Sequence, residues 1–384
     1  MNKRVKLCSR CVLPETYPGI HFDEQGICNI CREYEVTRET GNNTDREINR
    51  HFSNENELKE CLRKYKNLGN KYDVLVPLSG GVDSCFTLIN IVEKFNLKPL
   101  VFHSDHGWDD KTATANVEKL CKTLDVDLII WKNDLSFMRT LFKYFNESAE
   151  VELSACFVCG NMLYLNGLEL ADRFHIPLVI NGYSKGQAAM MHDREKARKW
   201  YGKMTDIILQ RGDSEFFEAF CKKWKLLEKQ VIYRDRRDLE KKVNPGKLLF
   251  IPLFVFSFYK TDKEALQKLC AERFDWKPLE TSYPARTTNC KMIWLNSYVD
   301  LQKRNYTHYH DEYSTLIRAG EITREQALED LELHPPQGLL EELAREVNID
   351  LEALQRKWQA PGPSGVEQLV YAQSVQSHEG EFGF

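Results

Sequence analysis

Four cysteines near the start of the chain have the type and spacing of metal ligands. They form two Cys-x-x-C pairs with sixteen residues between them, and they are Cys8, Cys11, Cys28 and Cys31. Each pair places two soft sulfur ligands on one tight turn, and two such turns close a tetrahedron around one ion. The stretch between the pairs is too short for a hydrophobic core, so bound metal would supply its folding free energy. We therefore predict a zinc ribbon over residues 1–40; four unconnected buried cysteines and a redox pair are the alternatives.

A glycine-rich turn after a short apolar run is the second candidate site. Residues 74–78, VLVPL, are typical of a buried parallel strand. The turn that follows consists of Ser79, Gly80, Gly81, Val82, Asp83 and Ser84. Glycines let bare backbone approach a ligand, and the N-terminus of the helix expected next would face the same ligand. The pattern predicts a phosphate-binding loop, with a strand-to-helix turn that binds nothing as the alternative.

This turn lacks the lysine of the G-x-x-x-x-G-K-[ST] phosphate loop. The negative charge of bound phosphates and of Asp83 must still be balanced. We therefore expect a metal ion, Mg²⁺, to supply most of the positive charge beside Asp83.

Two later loops are predicted to lie at the same edge of the sheet as the glycine turn. Apolar runs at 99–103, 127–131 and 177–180 indicate three more parallel strands, and ligands of open α/β sheets bind at the carboxyl ends of the strands. Polar residues follow two of these strands: His103, Ser104 and Asp105 at the end of the first, and Asn181, Gly182 and Lys185 after the last. We expect them to contact the ligand, although each alone could be an ordinary loop residue.

Three more cysteines have a pattern suited to an iron–sulfur cluster. Cys156 and Cys159 form a third Cys-x-x-C pair, which we place on the loop between the third and fourth predicted strands, and Cys290 lies alone after the α/β segment. Three thiolates on a [4Fe–4S] cluster leave one iron open for exogenous sulfide, whereas a closed structural zinc site would need a fourth ligand. A second zinc knuckle, a persulfide relay and inert burial are the alternatives.

Composition limits the class of protein. A chain of 384 residues with 42 % hydrophobic content is long enough for two or three domains with cores of their own. The formal net charge of −4 disfavours a surface built throughout to bind nucleic acid, although it leaves room for a local basic patch. No apolar run approaches the roughly 20 residues of a membrane span, and no signal peptide is evident, so we expect a cytoplasmic location. Thiols stay reduced there, which favours metal ligands, catalytic groups or core positions over disulfides.

The SGGVDS turn after a strand resembles the PP-loop of the ATP pyrophosphatase superfamily. That superfamily includes tRNA thiolases, asparagine and GMP synthetases and N-acetyl sugar amidotransferases. The resemblance implies an adenine nucleotide α-hydrolase-like fold, in which the loop residues bind the pyrophosphate of ATP and its metal and residues 103–105 lie on the adenosine side. It also implies that AMP is transferred to a substrate oxygen, which an amine or sulfide then displaces.

Two branches of that superfamily share segments with this chain. The CSRC and CNIC pairs, the SGGVDS turn and residues 103–108 and 319–328 resemble the N-acetyl sugar amidotransferases, and this match covers most of the chain. Members of that branch are thought to form an amidine on a bacterial surface sugar, with ammonia from a separate glutaminase. The pattern of Cys156, Cys159 and Cys290 instead resembles the cluster-dependent tRNA thiolases.

The remaining segments complete the predicted organisation. We expect a linker and helix at 41–70, a PP-loop domain at 71–290 with a helical insertion at 186–245, a helical region at 291–360 and a flexible tail at 361–384. Within the insertion, residues 222–242 have the pattern of an amphipathic helix or helical pair, which would be either a solvated face or a groove for a phosphate-bearing substrate. His308 and His310 alternate, which is poor spacing for ligands on a helix, and are predicted to be surface residues.

The sequence thus predicts an α/β enzyme that uses ATP, Mg²⁺ and Zn²⁺ to adenylate an oxygen of a small molecule, such as a sugar or a nucleotide-linked compound. A [4Fe–4S] cluster would then deliver sulfur in place of that oxygen. The catalytic residues would be Asp83, Lys185, Cys156, Cys159 and Cys290. Ammonia is the alternative nucleophile, and a nucleotide-binding protein without catalysis is a third hypothesis. The expected partner is a sulfur donor or a glutaminase; no membrane partner is expected, and a homodimer is left open.

Overall fold

The centre of the fold is a parallel β-sheet. The computed structural model describes residues 5–40, 52, 54–69, 71–187, 194–224, 230–232, 248–256, 258–260, 262–279, 282–284 and 290–359. The six strands are β1 (Val74–Pro77), β2 (Pro99–Asp105), β3 (Asp127–Lys132), β4 (Leu178–Asn181), β5 (Gln230–Ile232) and β6 (Leu248–Pro252). They lie in the order β3-β2-β1-β4-β6-β5, and every neighbouring pair is parallel. The predicted α/β class with a parallel sheet is confirmed.

The strand order reverses at β1. The chain runs from β1 outward through β2 to β3, then returns to place β4 on the other side of β1, where Leu75 pairs with Val179. In open α/β sheets, such a reversal leaves a crevice at the carboxyl ends of the strands, and ligands bind there. The glycine-rich turn directly follows β1, so it lies at this crevice.

Alternate residues of the central strands enter two different cores. Leu75 and Leu100 pack into a core on one face of the sheet, and Val74, Val76 and Val101 pack into a second core on the other face. A strand buried on both faces needs a nearly continuous apolar sequence, which explains the VLVPL and PLVF runs.

Helices cover both faces of the sheet and form the rest of the chain. Those before β4 are α1 (Asn29–Thr40), α2 (Glu55–Arg63), α3 (Val82–Ile89), α4 (Lys111–Leu124), α5 (Leu135–Glu147) and α6 (Ala155–Arg173). Later helices are α7 (Arg194–Leu209), α8 (Ser214–Trp224), α9 (Lys263–Phe274), α10 (Met292–Arg304), α11 (His308–Ala319), α12 (Arg324–Asp330), α13 (Leu339–Glu346) and α14 (Leu351–Gln359). A π-helical turn, Asn90–Lys94, continues α3, and a 3₁₀ turn, Leu253–Val255, follows β6.

The N-terminal four-cysteine segment packs against the C-terminal helices. The Arg324 guanidinium at the start of α12 donates hydrogen bonds to the carbonyl oxygens of Cys8 (3.1 Å) and Cys11 (3.0 Å). The Tyr17 hydroxyl donates to the Asp311 carboxylate of α11 at 3.0 Å. The N-terminal cysteine segment and helices α11 and α12 are therefore joined through partly buried polar contacts as well as apolar packing.

Three sequence-based expectations are corrected by the structure. Cys156 and Cys159 lie in the first turn of α6 and not on a loop, because Ser154 accepts a hydrogen bond from the Cys156 N–H and starts the helix at Ala155. Residues 222–242 are not helical throughout, since α8 ends at Trp224 and 230–232 form the edge strand β5. His310 is buried rather than at the surface, because its ring accepts the Thr307 N–H at the start of α11. The remainder of 222–242 lies outside the described residues.

Within the described residues, no helix combines the length and the apolar character that crossing a membrane requires.

Candidate functional site

The turn between β1 and α3 has the backbone geometry of an anion-binding loop. Gly80 has a φ of +83°, and a Cβ atom there would lie 2.2 Å from the Ala113 carbonyl oxygen, so only glycine fits. The Trp276 indole N–H holds this position by donating to the Gly80 carbonyl at 2.9 Å. Gly81 is the N-cap of α3, and no side chain of the described residues caps this helix. Its first-turn N–H groups are therefore available to an anion.

The two serines of the loop shape the turn. The Ser84 hydroxyl donates to the Gly81 carbonyl at 2.9 Å and accepts the Ser79 N–H at 3.2 Å, and the two hydroxyls lie 3.1 Å apart. These hydrogen bonds hold the loop in its folded shape. The central backbone of the loop lies at the crevice.

Asp83 and Lys263 form an ion pair beside this loop. Lys263 lies in the first turn of α9, and its ammonium contacts Asp83 Oδ2. The other carboxylate oxygen of Asp83, Oδ1, is buried and has no hydrogen-bond partner among the described residues. We expected a metal ion to supply most of the positive charge beside Asp83. Lys263 supplies part of that positive charge. No motif of neighbouring residues indicates Lys263, which lies in the first turn of α9.

The segment after β4 lies directly against the loop. A Cβ atom on Gly182 would be 2.6 Å from the Asp83 carbonyl oxygen and 2.8 Å from the Ser84 nitrogen. Asn181 is buried and its side chain accepts the Tyr183 N–H at 3.2 Å. Lys185 forms an ion pair with Glu321 of the α11–α12 connection, and both side chains are largely buried. Gly182 therefore lies against the loop, and Lys185, three residues later, is paired with Glu321. Contact of Asn181, Gly182 and Lys185 with a ligand stays a prediction.

The polar residues at the end of β2 have more varied roles. The His103 ring contacts the Leu78 carbonyl oxygen through Nδ1 at 2.9 Å, and its buried Nε2 has no partner in the described part of the chain. Ser104 Oγ accepts the Asn133 amide at 3.0 Å, and Asp105 Oδ1 accepts the Gly107 N–H at 2.8 Å. Ser104 and Asp105 therefore hold the loop in shape, and contact of His103 with a ligand stays a prediction.

Cys156, Cys159 and Cys290 come together beside this β2 loop. Cys290 forms an antiparallel bridge with Asp109, and the following Lys291 N–H donates to the Trp108 carbonyl at 2.9 Å. Burial raises the pKa of Cys159 and of Cys290 well above the usual value, and the charge of each neighbouring thiol raises it further. Desolvation also raises the pKa of Cys156 to about 12. Within the described residues these three cysteines do not form a group suited to a single metal ion, and the cluster that the sequence indicates stays a prediction.

Polar groups surround these three thiols. Asn296 of α10 donates a hydrogen bond to Cys156 Sγ at 3.1 Å, and its own amide oxygen is held by Asn146 at 2.7 Å. Asp109 is largely buried, its Oδ1 lies 3.5 Å from His106 Nε2, and burial raises its pKa. The sequence does not identify Asn296 and Asp109 as residues of this site, because neither lies in a recognisable motif.

The four N-terminal cysteines form a closed metal-binding site. All four are buried, and their sulfur atoms lie within 4.8 Å of one another. The backbone N–H groups of Cys11 and Cys28 donate to Cys8 Sγ at 3.5 and 3.3 Å. Thiol hydrogen bonds within the group lower the pKa of Cys8 and lower that of Cys11 to about 7. This donor set fits a tetrahedral ion with no open position.

Comparison with known proteins gives several partial matches. A family model described as "LPS biosynthesis protein WbpG-like, C-terminal domain" matches residues 261–366. The uncharacterised protein MJ1599 of Methanocaldococcus jannaschii is 23% identical over 290 residues, which are 75% of this chain and 83% of that one. The U34-tRNA thiolase NcsA from Methanococcus maripaludis, solved with its [4Fe-4S] cluster, is 17% identical and covers 86% of this chain and 91% of its own, with a TM-score of 0.33.

One further match is higher in identity but short. The tRNA(Ile)-lysidine synthase of Caldanaerobacter subterraneus subsp. tengcongensis is 35% identical over 83 residues, 20% of this chain and 18% of that one. The SGGVDS turn lies where the strand order of the parallel sheet reverses, and the lysidine synthase and WbpG-like matches agree with its resemblance to the PP-loop ATP pyrophosphatase superfamily. Residues after β6 also contribute to this region: Lys263 of α9 pairs with Asp83, and Glu321 of the α11–α12 connection pairs with Lys185.

Proposed function

We propose that this PP-loop protein is an adenylating enzyme that transfers AMP from ATP to an oxygen of a small-molecule substrate and then replaces that oxygen with sulfur. The observation that carries the first step is the arrangement at the loop after β1. Three features lie together there: the uncapped N–H groups of α3, the Lys263 ammonium, and a buried oxygen of Asp83 that has no partner among the described residues. This set suits a pyrophosphate group accompanied by a divalent cation.

The chemistry of the first step follows from these residues. The substrate oxygen attacks the α-phosphorus of ATP, the bond from that phosphorus to the bridging oxygen breaks, and pyrophosphate leaves. Lys263 and the first-turn N–H groups of α3 stabilise the charge that develops on the pyrophosphate. Asp83 Oδ1 would hold Mg²⁺, which neutralises phosphate charge.

The three buried thiols support sulfur as the incoming atom. Cys156, Cys159 and Cys290 would be the three thiolate ligands of a [4Fe–4S] cluster, which would supply one iron without a protein ligand for sulfide. Asn296 orients Cys156 through its hydrogen bond to the sulfur. A persulfide relay is less suited to this site, since it needs a thiolate and the pKa values of these thiols are raised. Metal binding, in contrast, displaces the thiol protons.

The closed N-terminal site would hold Zn²⁺ in a structural role. Its four thiolates leave no position for substrate, and it packs on Arg324 at the opposite end of the chain. A role in folding and in docking the two ends of the chain is therefore proposed for this ion.

Ammonia as the incoming nucleophile is the second candidate. It is favoured by the match of residues 261–366 to the C-terminal domain of WbpG-like LPS biosynthesis proteins. Under this alternative, the first step and its residues stay the same, and a glutaminase partner would replace a sulfur donor.

Two measurements test the proposal. Incubation with ATP, Mg²⁺ and a panel of nucleotide-linked sugars is expected to release pyrophosphate, and Asp83→Asn is expected to abolish the release; ADP and orthophosphate as products would contradict adenylation. Protein purified without oxygen is expected to contain about four iron and four labile sulfide per chain. Their absence, together with ammonia-dependent turnover, would assign the second candidate.

A further inference from the structure

The segment after β4 lies between the PP-loop and helix α11. Its first glycine, Gly182, touches the backbone of Asp83, where an added Cβ atom would be 2.6 Å from the carbonyl oxygen. Its second glycine, Gly186, touches α11, where an added Cβ atom would be 2.7 Å from both the Cα and the carbonyl oxygen of Glu312. Two close contacts on one short segment therefore bring α11 to the nucleotide site.

Glu312 presents a buried carboxylate oxygen at this place. The residue is 7 % exposed, and its Oε1 accepts the Ser184 hydroxyl at 2.7 Å. Its Oε2 is buried and has no hydrogen-bond partner in the parts of the chain that the structure describes. An ionised oxygen without a partner is costly to bury, so such an oxygen points to a ligand.

Glu312 is also within electrostatic reach of the Asp83–Lys263 ion pair. Burial raises the pKa of Glu312, the hydrogen bond from Ser184 and the Lys263 ammonium lower it, and the Asp83 carboxylate raises it. Lys263 is the ion-pair partner of Asp83. Residues of α3, α9 and α11 therefore contribute charge to this part of the molecule.

We infer that Glu312 is a second carboxylate ligand of the divalent cation that accompanies ATP, and that Glu312 Oε2 and Asp83 Oδ1 bind the same ion. Both atoms are buried oxygens that lack a partner within the described residues. Mg²⁺ takes oxygen ligands, usually one or two carboxylates together with phosphate oxygens and water. The inference rests on the proposed function, and it makes the cation site incomplete without the C-terminal helical region.

The inference is tested by measuring the affinity of the protein for a divalent cation and not by measuring turnover. Mn²⁺ replaces Mg²⁺, and its dissociation constant is measured by electron paramagnetic resonance with the full-length protein and an ATP analogue that has a methylene group between the α- and β-phosphorus. Glu312→Gln keeps an oxygen for Ser184 but removes the charge. We expect it to weaken Mn²⁺ binding by more than about 10-fold, the loss that even an outer-shell partner can cause.

Two further variants make the result decisive. Glu329→Gln removes a charge from an exposed position on the neighbouring helix α12 and is expected to bind Mn²⁺ like the wild type. Glu312→Asp keeps a carboxylate and is expected to bind Mn²⁺ more tightly than Glu312→Gln. If the glutamine variant is poorly folded, the aspartate variant is compared with the wild type instead. Equal Mn²⁺ affinity of wild type and Glu312→Gln, or of the aspartate and glutamine variants, would overturn the inference. Failure of the wild type to bind the analogue at all would instead overturn the proposed function.

Discussion

Lys263, at the start of α9, forms an ion pair with Asp83, at the start of α3, although 180 positions separate the two residues in the chain. This pair places a cation beside a glycine-rich loop that has no lysine of its own. Under the proposed function, Lys263 would take the electrostatic role that a loop lysine has in other phosphate-binding sites.

Lys263→Gln is expected to weaken ATP binding. Charge-assisted hydrogen bonds contribute about 1.5–3 kcal/mol, so the dissociation constant for ATP should rise by roughly 10- to 150-fold. Isothermal titration calorimetry with Mg²⁺ present measures this change. Lys268→Gln, at an exposed position on the same helix, is the matched control and should leave the constant unchanged. Equal affinities of the two variants would show that Lys263 only pairs with Asp83.

Gly182→Ala is expected to disturb the glycine-rich loop after β1. The new methyl group would lie 2.6 Å from the Asp83 carbonyl oxygen, so the loop or the segment after β4 must move. We expect the free energy of unfolding to fall by about 1–3 kcal/mol, as for other overpacked sites, and ATP affinity to fall with it. Gly202→Ala in α7 meets nothing within 4 Å and should raise the free energy of unfolding slightly. Chemical denaturation and ATP titration of both variants check the contrast.

Metal content should respond separately at the two cysteine sites. Cys28→Ser is expected to lose zinc and keep iron, because its sulfur belongs to the closed N-terminal group. Cys159→Ser is expected to lose iron and keep zinc, because it lies in the first turn of α6 with the other proposed cluster ligands. Elemental analysis of protein purified without oxygen measures both metals. Loss of the same metal in both variants would contradict the assignment of two sites.

His310 is expected to make stability depend on pH. Burial, with the nearby Arg304 charge as a smaller cause, lowers its folded-state pKa from 6.5 to about 3. The unfolded chain therefore binds the proton first, and the stability that this histidine contributes is present at pH 7 and lost as the pH falls from 6.5 towards 3. Between pH 7 and pH 5 the loss from this group should be about 2 kcal/mol.

His310→Gln tests this expectation without removing the helix cap. Glutamine at the third position of a helix can still bond the Thr307 N–H, as in a capping box. Urea unfolding at pH 7 and pH 5 should show a smaller loss of stability for this variant than for the wild type. His334→Gln, at an exposed position, should behave like the wild type. An unchanged pH dependence in His310→Gln would refute the assignment.

Much of the central fold could be predicted from short segments. The apolar runs at 74–78 and 99–103 became β1 and β2, because strands buried on both faces need nearly continuous apolar sequence. The apolar run at 127–131 also became a strand, β3, although it lies at the edge of the sheet and is partly exposed. Asp110 caps α4 by accepting the Thr112 N–H, so the start of that helix can be predicted from a single residue. The edge strand β5 was missed because its three residues lie in a charged stretch that has helical periodicity.

The sequence by itself determined the parts of this protein that depend on near neighbours. The spacing of Cys8, Cys11, Cys28 and Cys31 and the glycines of the loop after β1 specify local backbone shapes, which depend on few residues. Only the tertiary structure decided which distant side chains complete the site. Lys263 pairs with Asp83 because α9 packs beside the loop, and α11 places Glu312 against Gly186 of the segment after β4. No motif of neighbouring residues can record such packing.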